Sequence, residues 1–375
     1  MLRFLRTMFT LTGKEWLSLW RDGFMLGFVV YSFTLAIYSH ATGISHDLRN
    51  ASIAIVDEDH STLSERLAGA FRGPEFRPPV LIGAGEVNAA MDSARFTFVL
   101  DIPPNFEADV LAGRSPAAQL LIDATAMMQA GIGAGQIVGI LDDEIGRFAR
   151  REAAAPPPPV GLQVRYAFNQ ALDTRWFMGI MATINNITML AVLLAGAALI
   201  REREHGTLEH LLVMPVRPAE IMTAKVVANG TVILALTAFA LLGIVRGVLG
   251  VPLAGSMALF LVGTALYLFF ATALGIFLGT IARSMPQLGL LFILIVLPMT
   301  MLSGANTPLE SEPEWLQAVM QFVPSTHFVA FAQAILCRGA GLEVVWPRFL
   351  ATVLIGAVFF ALSLKRFRQH LAAMR

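Results

Sequence analysis

The stretch REREHGTLEHLLVMPVRPAEIMTAK, residues 201–225, decides how this chain is read. It is a charged island between two apolar runs, 177–200 and 226–245, neither of which holds a charged residue. Each run approaches the ~20 residues that a helix needs to cross a bilayer. The island must therefore lie in water at one face of a membrane. Its own pattern is helical: Leu208, Leu211 and Leu212 share one side, while Glu209 and His210 point elsewhere. Gly206 and Thr207 suit a helix start, Pro215 stops the helix, and Pro218 can open the next one. A short amphipathic helix preceded by Arg201-Glu202-Arg203-Glu204 fits two readings. It can dock a soluble partner, or it can lie on lipid. Its acidic residues count against the lipid surface.

The composition agrees with a membrane protein. Of 375 residues, 56% are hydrophobic and 14% charged, against about 25% charged in ordinary soluble domains. Formal net charge is zero, which implies no bulk attraction to nucleic acid. The single cysteine excludes an internal disulfide. Four further uncharged runs, 23–42, 257–281, 287–302 and 349–364, bring the expected spans to six. Residues 1–22 read as a basic amphipathic helix at the interface, with Trp16 and Trp20 at headgroup level. The run after it is longer than a signal-peptide core, so 23–42 is read as a retained anchor. Residues 304–348 are too polar to span. They are expected to hold two short helices, 313–322 and 326–336, the second dipping into the outer leaflet.

Residues 43–175 are of another kind, with charges, prolines and alternation. Strands are expected at 52–56, 80–82, 96–100, 120–123 and 163–168, with helices at 62–71, 86–92, 105–111 and 125–154 between them. Thr62-Leu63-Ser64-Glu65 reads as a capping box. Such alternation predicts a compact α/β domain inserted between the first two spans. Lys and Arg near the span ends gather on one side, with Lys14, Arg21, Arg201, Lys225, Arg283 and Lys365 among them. The positive-inside rule then places both termini and 201–225 in the cytoplasm and the α/β domain outside.

The residues that carry a resemblance are IPPNFEADVLAG (102–113), INNITMLA (184–191), LIREREHGTLEHLLVMP (199–215) and GTIARSMPQLGLL (279–291). In these runs the chain resembles ABC-2 type exporter permeases, and in particular the YhhJ-type inner-membrane transport permeases, over nearly its whole length. The resemblance implies a polytopic α-helical exporter fold with six transmembrane helices and an extracytoplasmic α/β domain. It implies a bacterial inner-membrane subunit that pairs with a second copy or a paralogue. It further implies an ABC ATPase partner that carries ATP and Mg, no cofactor on this chain, and a periplasmic membrane-fusion adaptor. Residues 201–225 would be the ATPase-coupling loop, with Arg201, Glu202, Arg203, Glu204, Gly206, Thr207, Glu209 and His210 as its contact residues. The substrate class of the family, drugs or lipids, is not fixed by these motifs.

The remaining motifs are weighed one by one. No Walker A is present, since Gly13-Lys14 is followed by Glu15. Proton- or sodium-driven carriers place ionisable groups at mid-membrane, and the six runs hold none. Thr183, Asn185 and Asn186, with Thr188 beside them, form the most polar cluster within a span, and Asn229 on the next span is weighed with them. They either hydrogen-bond between helices or line a translocation path. Gly275 and Gly279 indicate close helix packing. Gly131, Gly135 and Gly139 fall on one face of the long outer helix and predict a close neighbour there. Asp57-Glu58-Asp59-His60 fits a metal site less well than a solvated turn. No catalytic grouping is present. Besides an exporter subunit, a second reading is a membrane-anchored receptor or scaffold whose outer domain binds a ligand or adaptor. Six uncharged spans exceed what an anchor needs.

Overall fold

The computed structural model describes residues 2–43, 48, 50–123, 127–152, 168, 173–206 and 216–373. The chain opens with α1 (Leu2–Arg21), followed by α2 (Gly23–Phe33) and α3 (Leu35–Gly43). The first expected span is thus one apolar stretch broken at Thr34, whose Oγ1 donates 2.6 Å to the Val30 carbonyl. Such back-bonding bends helices. Asp22 caps α2, its Oδ1 accepting from Met25 N at 2.9 Å.

There follow β1 (Ile53–Asp57), α4 (Thr62–Ala70), β2 (Val80–Leu81), α5 (Val87–Asp92), β3 (Phe98–Ile102), α6 (Phe106–Leu111), β4 (Gln119–Ile122) and α7 (Met127–Glu152). The strand order is β2-β1-β3-β4. β1 pairs in parallel with β2 and β3, and β4 runs antiparallel to β3. The expected strand at 163–168 lies outside the described residues apart from Phe168. The capping box begins one residue earlier than expected: Ser61 Oγ accepts from Ser64 N at 3.1 Å, and Ser64 Oγ accepts from Ser61 N at 2.9 Å. Residue 61 has extended φ/ψ, so it and not Thr62 is the cap.

One face of the sheet, with Ile53, Ile55, Phe98 and Leu100, meets Leu63 and Leu67 of α4 and Ile137 and Phe148 of α7. The close approach on α7 is at Gly133, where a β-carbon would lie 2.2 Å from Phe98 Cζ. This corrects the expectation for Gly131, Gly135 and Gly139. They are exposed, and a β-carbon on any of them would meet no described atom within 4 Å. The buried stripe of α7 runs through 133, 137 and 148, and the three glycines occupy its other side. The Asp57–His60 turn is a capping device. Asp59 accepts from the N–H groups of Phe106 and Glu107 at 2.9 and 3.0 Å, at the start of α6. Asp57 accepts from Asp59 N, His60 N and Ser64 Oγ. No metal-ligand cluster occurs among the described residues.

The second helical part comprises α8 (Thr174–Glu204), α9 (Pro218–Phe239), α10 (Met257–Ile281), α11 (Met285–Thr300), α12 (Glu314–Met320), α13 (Pro324–Leu336) and α14 (Leu342–Ala373). The chain divides into two compact units, Met1–Ile44 with Arg175–Arg375, and Ser45–Thr174. In the first of these units, among the described residues, six helices are long and apolar enough to cross a membrane. α9 and α11 continue as π-helical turns over Ala240–Val248 and Met301–Ala305. Pro298 in α11 removes one backbone donor just before the second of these turns. The last helix starts at Leu342, seven residues before the apolar run expected at 349–364, and runs through Pro347, whose missing N–H leaves the Glu343 carbonyl without an intrahelical donor. α12 and α13 meet at an 87° bend.

The bundle core is built on α8 and α10. A β-carbon on Gly275 would lie 2.3 Å from the Val192 carbonyl oxygen, and one on Gly279 would lie 3.1 Å from that of Gly196. The two helices therefore pack backbone to backbone, as the small-residue spacing predicts. α13 is fixed to this core by aromatic rings: Phe328 stacks on Tyr267 at 4.1 Å, and Phe331 meets Phe349 edge-on at 4.8 Å.

Candidate functional site

Charged residues scattered along the sequence converge where α8 ends and α9 begins. Lys225, at the start of the third turn of α9, has only 1% of its side chain exposed. Its Nζ donates to Glu15 Oε1 of α1 at 2.9 Å and lies 2.8 Å from Glu202 Oε2 of α8. The other oxygen of Glu202 accepts from Lys14 Nζ at 2.9 Å. Glu202 is thus shared by two ammonium groups, and two helices meet a third through one buried cation. Burying one ion costs several kcal/mol unless partners surround it, and here each charge has at least one opposite neighbour.

The flanking contacts extend this link. Arg201 pairs with Asp22 through NH1 and Oδ2. Asp22 therefore both caps α2 and holds the end of α8. Arg203 NH2 donates 2.7 Å to the carbonyl of Ala282, just past the end of α10. Thr12 Oγ1 lies 3.5 Å from the Ala224 carbonyl, and Trp16 Nε1 donates 3.2 Å to that of Ala228. These contacts hold α1 along α9. Arg201 and Arg203 also sit in the last turn of α8, where cations favour the helix dipole. Glu220 Oε2 accepts from Arg217 N at 2.8 Å and so closes the start of α9.

The structure thus brings together Arg201, Glu202 and Arg203 of the expected coupling residues. Glu204 is exposed at the end of α8, and Gly206 takes φ +66°, a left-handed conformation that favours glycine. Thr207, Glu209 and His210 lie outside the described residues, as does most of the expected amphipathic helix. Sequence reasoning did not single out Lys14, Glu15, Asp22 or Lys225 as partners. Two signals were present: Glu15 is the one acidic residue in 1–21, and Lys225 heads an otherwise uncharged run.

The polar residues within the spans do not form one cluster. Asn186 Nδ2 donates 2.6 Å to the Ser32 carbonyl and ties α8 to α2. Thr183 Oγ1 returns to the Gly179 carbonyl at 2.9 Å. Thr188 Oγ1 and the Tyr267 hydroxyl are 3.0 Å apart and tie α8 to α10. Asn185 is half-buried. Asn229, on α9, is buried, and its Nδ2 has no hydrogen-bond partner among the described residues.

Comparison with known proteins places this arrangement. The model of the family described as "ABC-2 family transporter protein" matches residues 23–365. The chain is 53% identical over 373 residues to "Inner membrane transport permease YhhJ" of Escherichia coli (strain K12), covering 100% of both chains. It is 27% identical over 365 residues to "Probable multidrug ABC transporter permease YbhR" of the same organism, covering 95% of this chain and 97% of that one. A shorter match, 26% over 175 residues, covers 46% of this chain and 24% of "ABC transporter G family member 20" of Dictyostelium discoideum. With six long apolar helices among its described residues, the chain is a polytopic helical membrane permease and belongs to the ABC-2 family of transporter proteins.

Proposed function

We propose that this chain is the membrane-spanning subunit of a bacterial inner-membrane exporter driven by a separate ABC ATPase. ATP and Mg belong to that partner, and this chain supplies the path. The observation that carries the reading is the Glu15–Lys225–Glu202 link. Residues 205–217 connect the end of α8 to the start of α9. A push on them acts on both ends, and the link hands the displacement to α1. A loop held on lipid alone would have no use for a buried charge tying its two roots to a third helix.

In this reading the termini and the loop face the cytoplasm, and residues 45–174 face the periplasm, where an adaptor protein would meet them. The path forms between this chain and a second copy or paralogue, and Thr183, Asn185, Asn186 and Asn229 are the residues that would line it. The substrate is an amphipathic drug or a lipid. ATP-driven closure of the partner would tilt the helices between inward- and outward-facing arrangements.

The test is co-expression with a Walker-containing ABC ATPase from the same genome, followed by purification through a tag on this chain. Co-elution, together with ATPase activity that rises when the permease is present, supports the reading. An ATPase that neither co-elutes nor responds overturns it.

A further inference from the structure

A cavity of about 360 Å³ opens between the start of α8, the π-turn after α11 and the first turns of α13. It lies in the same unit as the charged link but at the other end of α8. Phe177 and Glu202 are separated by 25 residues of that helix, or roughly 37 Å. Its volume falls in the ~300–1,000 Å³ range of small-molecule sites. Arg348, Thr326, Gln333 and Glu310 supply its polar lining, with Phe177 and Val329 among the apolar groups.

We propose that this cavity binds the anionic head of an amphiphile, a carboxylate or a phosphate, with its apolar tail along Phe177, Leu309 and Val329. Arg348 is half-buried and has no carboxylate within ion-pair distance among the described residues. One guanidinium N–H faces His327 Nδ1 at 3.2 Å. Arginine can only donate, so Nδ1 accepts, and Nε2 carries the proton that is donated to the Gln321 carbonyl at 2.8 Å. His327 is therefore a neutral spacer that orients the guanidinium without neutralising it. The remaining donors of Arg348 form a fork suited to carboxylate or phosphate. Glu310 is exposed and makes no ion pair with Arg348. The positive charge inside the cavity is thus left for a ligand to balance.

The second observation is independent. Thr326 is 3% exposed, its Oγ1 has no hydrogen-bond partner among the described residues, and it lines the same cavity. Buried hydroxyls are nearly always partnered, and a head-group oxygen beside Arg348 would supply the missing partner. Gly304 takes φ +92° at the end of the π-turn, and its carbonyl accepts from Gln333 Nε2 at 3.3 Å. π-turns inside helices recur at functional sites.

The site is tested on the purified full chain in detergent, without any ATPase, so its outcome is independent of the exporter reading. Binding of dihexanoyl phosphatidate, octanoate, inorganic phosphate and octyltrimethylammonium is measured by titration calorimetry. Saturable binding of either anionic amphiphile, with none for octyltrimethylammonium or for phosphate alone, is expected. Binding of both amphiphiles assigns recognition to charge, and binding of phosphatidate alone assigns it to the phosphate. Arg348→Gln should weaken binding by about tenfold or more, the loss of a charge-assisted contact. Thr326→Val, which keeps the shape, should weaken it by about threefold to tenfold. Thermal unfolding of each variant confirms the fold, and Thr326→Val carries the test if Arg348→Gln fails to fold. The proposal is overturned by an absence of saturable binding, by equal binding of the cationic amphiphile, by phosphate alone binding as tightly, or by unchanged affinity in the folded variants.

Discussion

The Lys225 ammonium lies 2.8 Å from Glu202 Oε2, and 99% of its side chain is out of contact with solvent. Removing it strands Glu15 without that partner and leaves Glu202 to Lys14 alone. Lys225→Met should therefore destabilise the bundle by about 3–5 kcal/mol, the scale seen when one member of a buried pair is deleted. The double change Lys225→Met with Glu15→Gln should recover part of that loss, because the stranded charge goes too. Thermal unfolding of the single and double variants measures the coupling. Equal destabilisation by both would show that Glu15 gains nothing from the pair.

Gly206 ends α8 with φ +66°, and its N–H donates to the Arg203 carbonyl at 3.1 Å. Proline fixes φ near −65° and has no N–H, so Gly206→Pro must re-aim the loop. Glu204→Arg reverses an exposed charge at its root. Both variants should insert normally and lose the permease-dependent rise in partner ATPase activity. Gly206→Ala, with a penalty of roughly 1–2 kcal/mol for the left-handed conformation, should lie between. Full stimulation in Gly206→Pro would remove the loop from the coupling route.

The glycines divide into two groups with opposite expected signs. Gly275→Val drives side-chain atoms into the Val192 carbonyl and should destabilise by about 1–3 kcal/mol or more. Gly133→Ala does the same against the Phe98 ring. Gly135→Ala and Gly139→Ala meet no described atom and should stabilise α7 by up to about 1 kcal/mol each. Hydrogen exchange of the α7 amides in the full chain reads the change. Slower exchange is expected for the last two and faster exchange for Gly133→Ala.

Burial alone would raise the Asp59 carboxyl. Hydrogen bonds from the Ser61 side chain and the backbone N–H groups of Glu107, Phe106 and Asn105 outweigh it and hold the group below its usual 3.8. A group depressed on folding adds stability above its unfolded pKa, and that stability is lost as pH falls through the folded value. Asp59→Asn should therefore lower the unfolding temperature of residues 45–174 near neutral pH. The difference from the parent chain should shrink below about pH 4 and vanish once both forms are uncharged. A difference that persists in strong acid would assign the effect to shape.

Much of the bundle was legible because lipid imposes a simple rule. Uncharged runs long enough to cross a bilayer stand out, and the run at 257–281 coincides with Met257–Ile281. The small-residue spacing of Gly275 and Gly279 likewise announced a close contact, since two glycines four apart share one helix face and leave it bare of side chains. The charged link was not legible. Glu15 and Lys225 are 210 residues apart, and no local pattern encodes a meeting at that separation. The glycines of α7 misled for a related reason. Spacing reveals that three residues share a face, but which face is buried depends on the sheet, whose register sets Phe98 against Gly133 instead. The cavity at Arg348 was hidden because its walls come from four separate segments, each unremarkable by itself.

The backbone contact between α8 and α10 has a mechanical consequence. Where Gly196, Gly275 and Gly279 leave no side chain between the helices, rotation of one past the other would drive carbonyl oxygens into α-carbons. Long side chains act as bearings, and bare backbone acts as a weld. These two helices therefore travel as a single strut, and any cycle of opening must be carried by the joints where leucine and phenylalanine keep the axes apart.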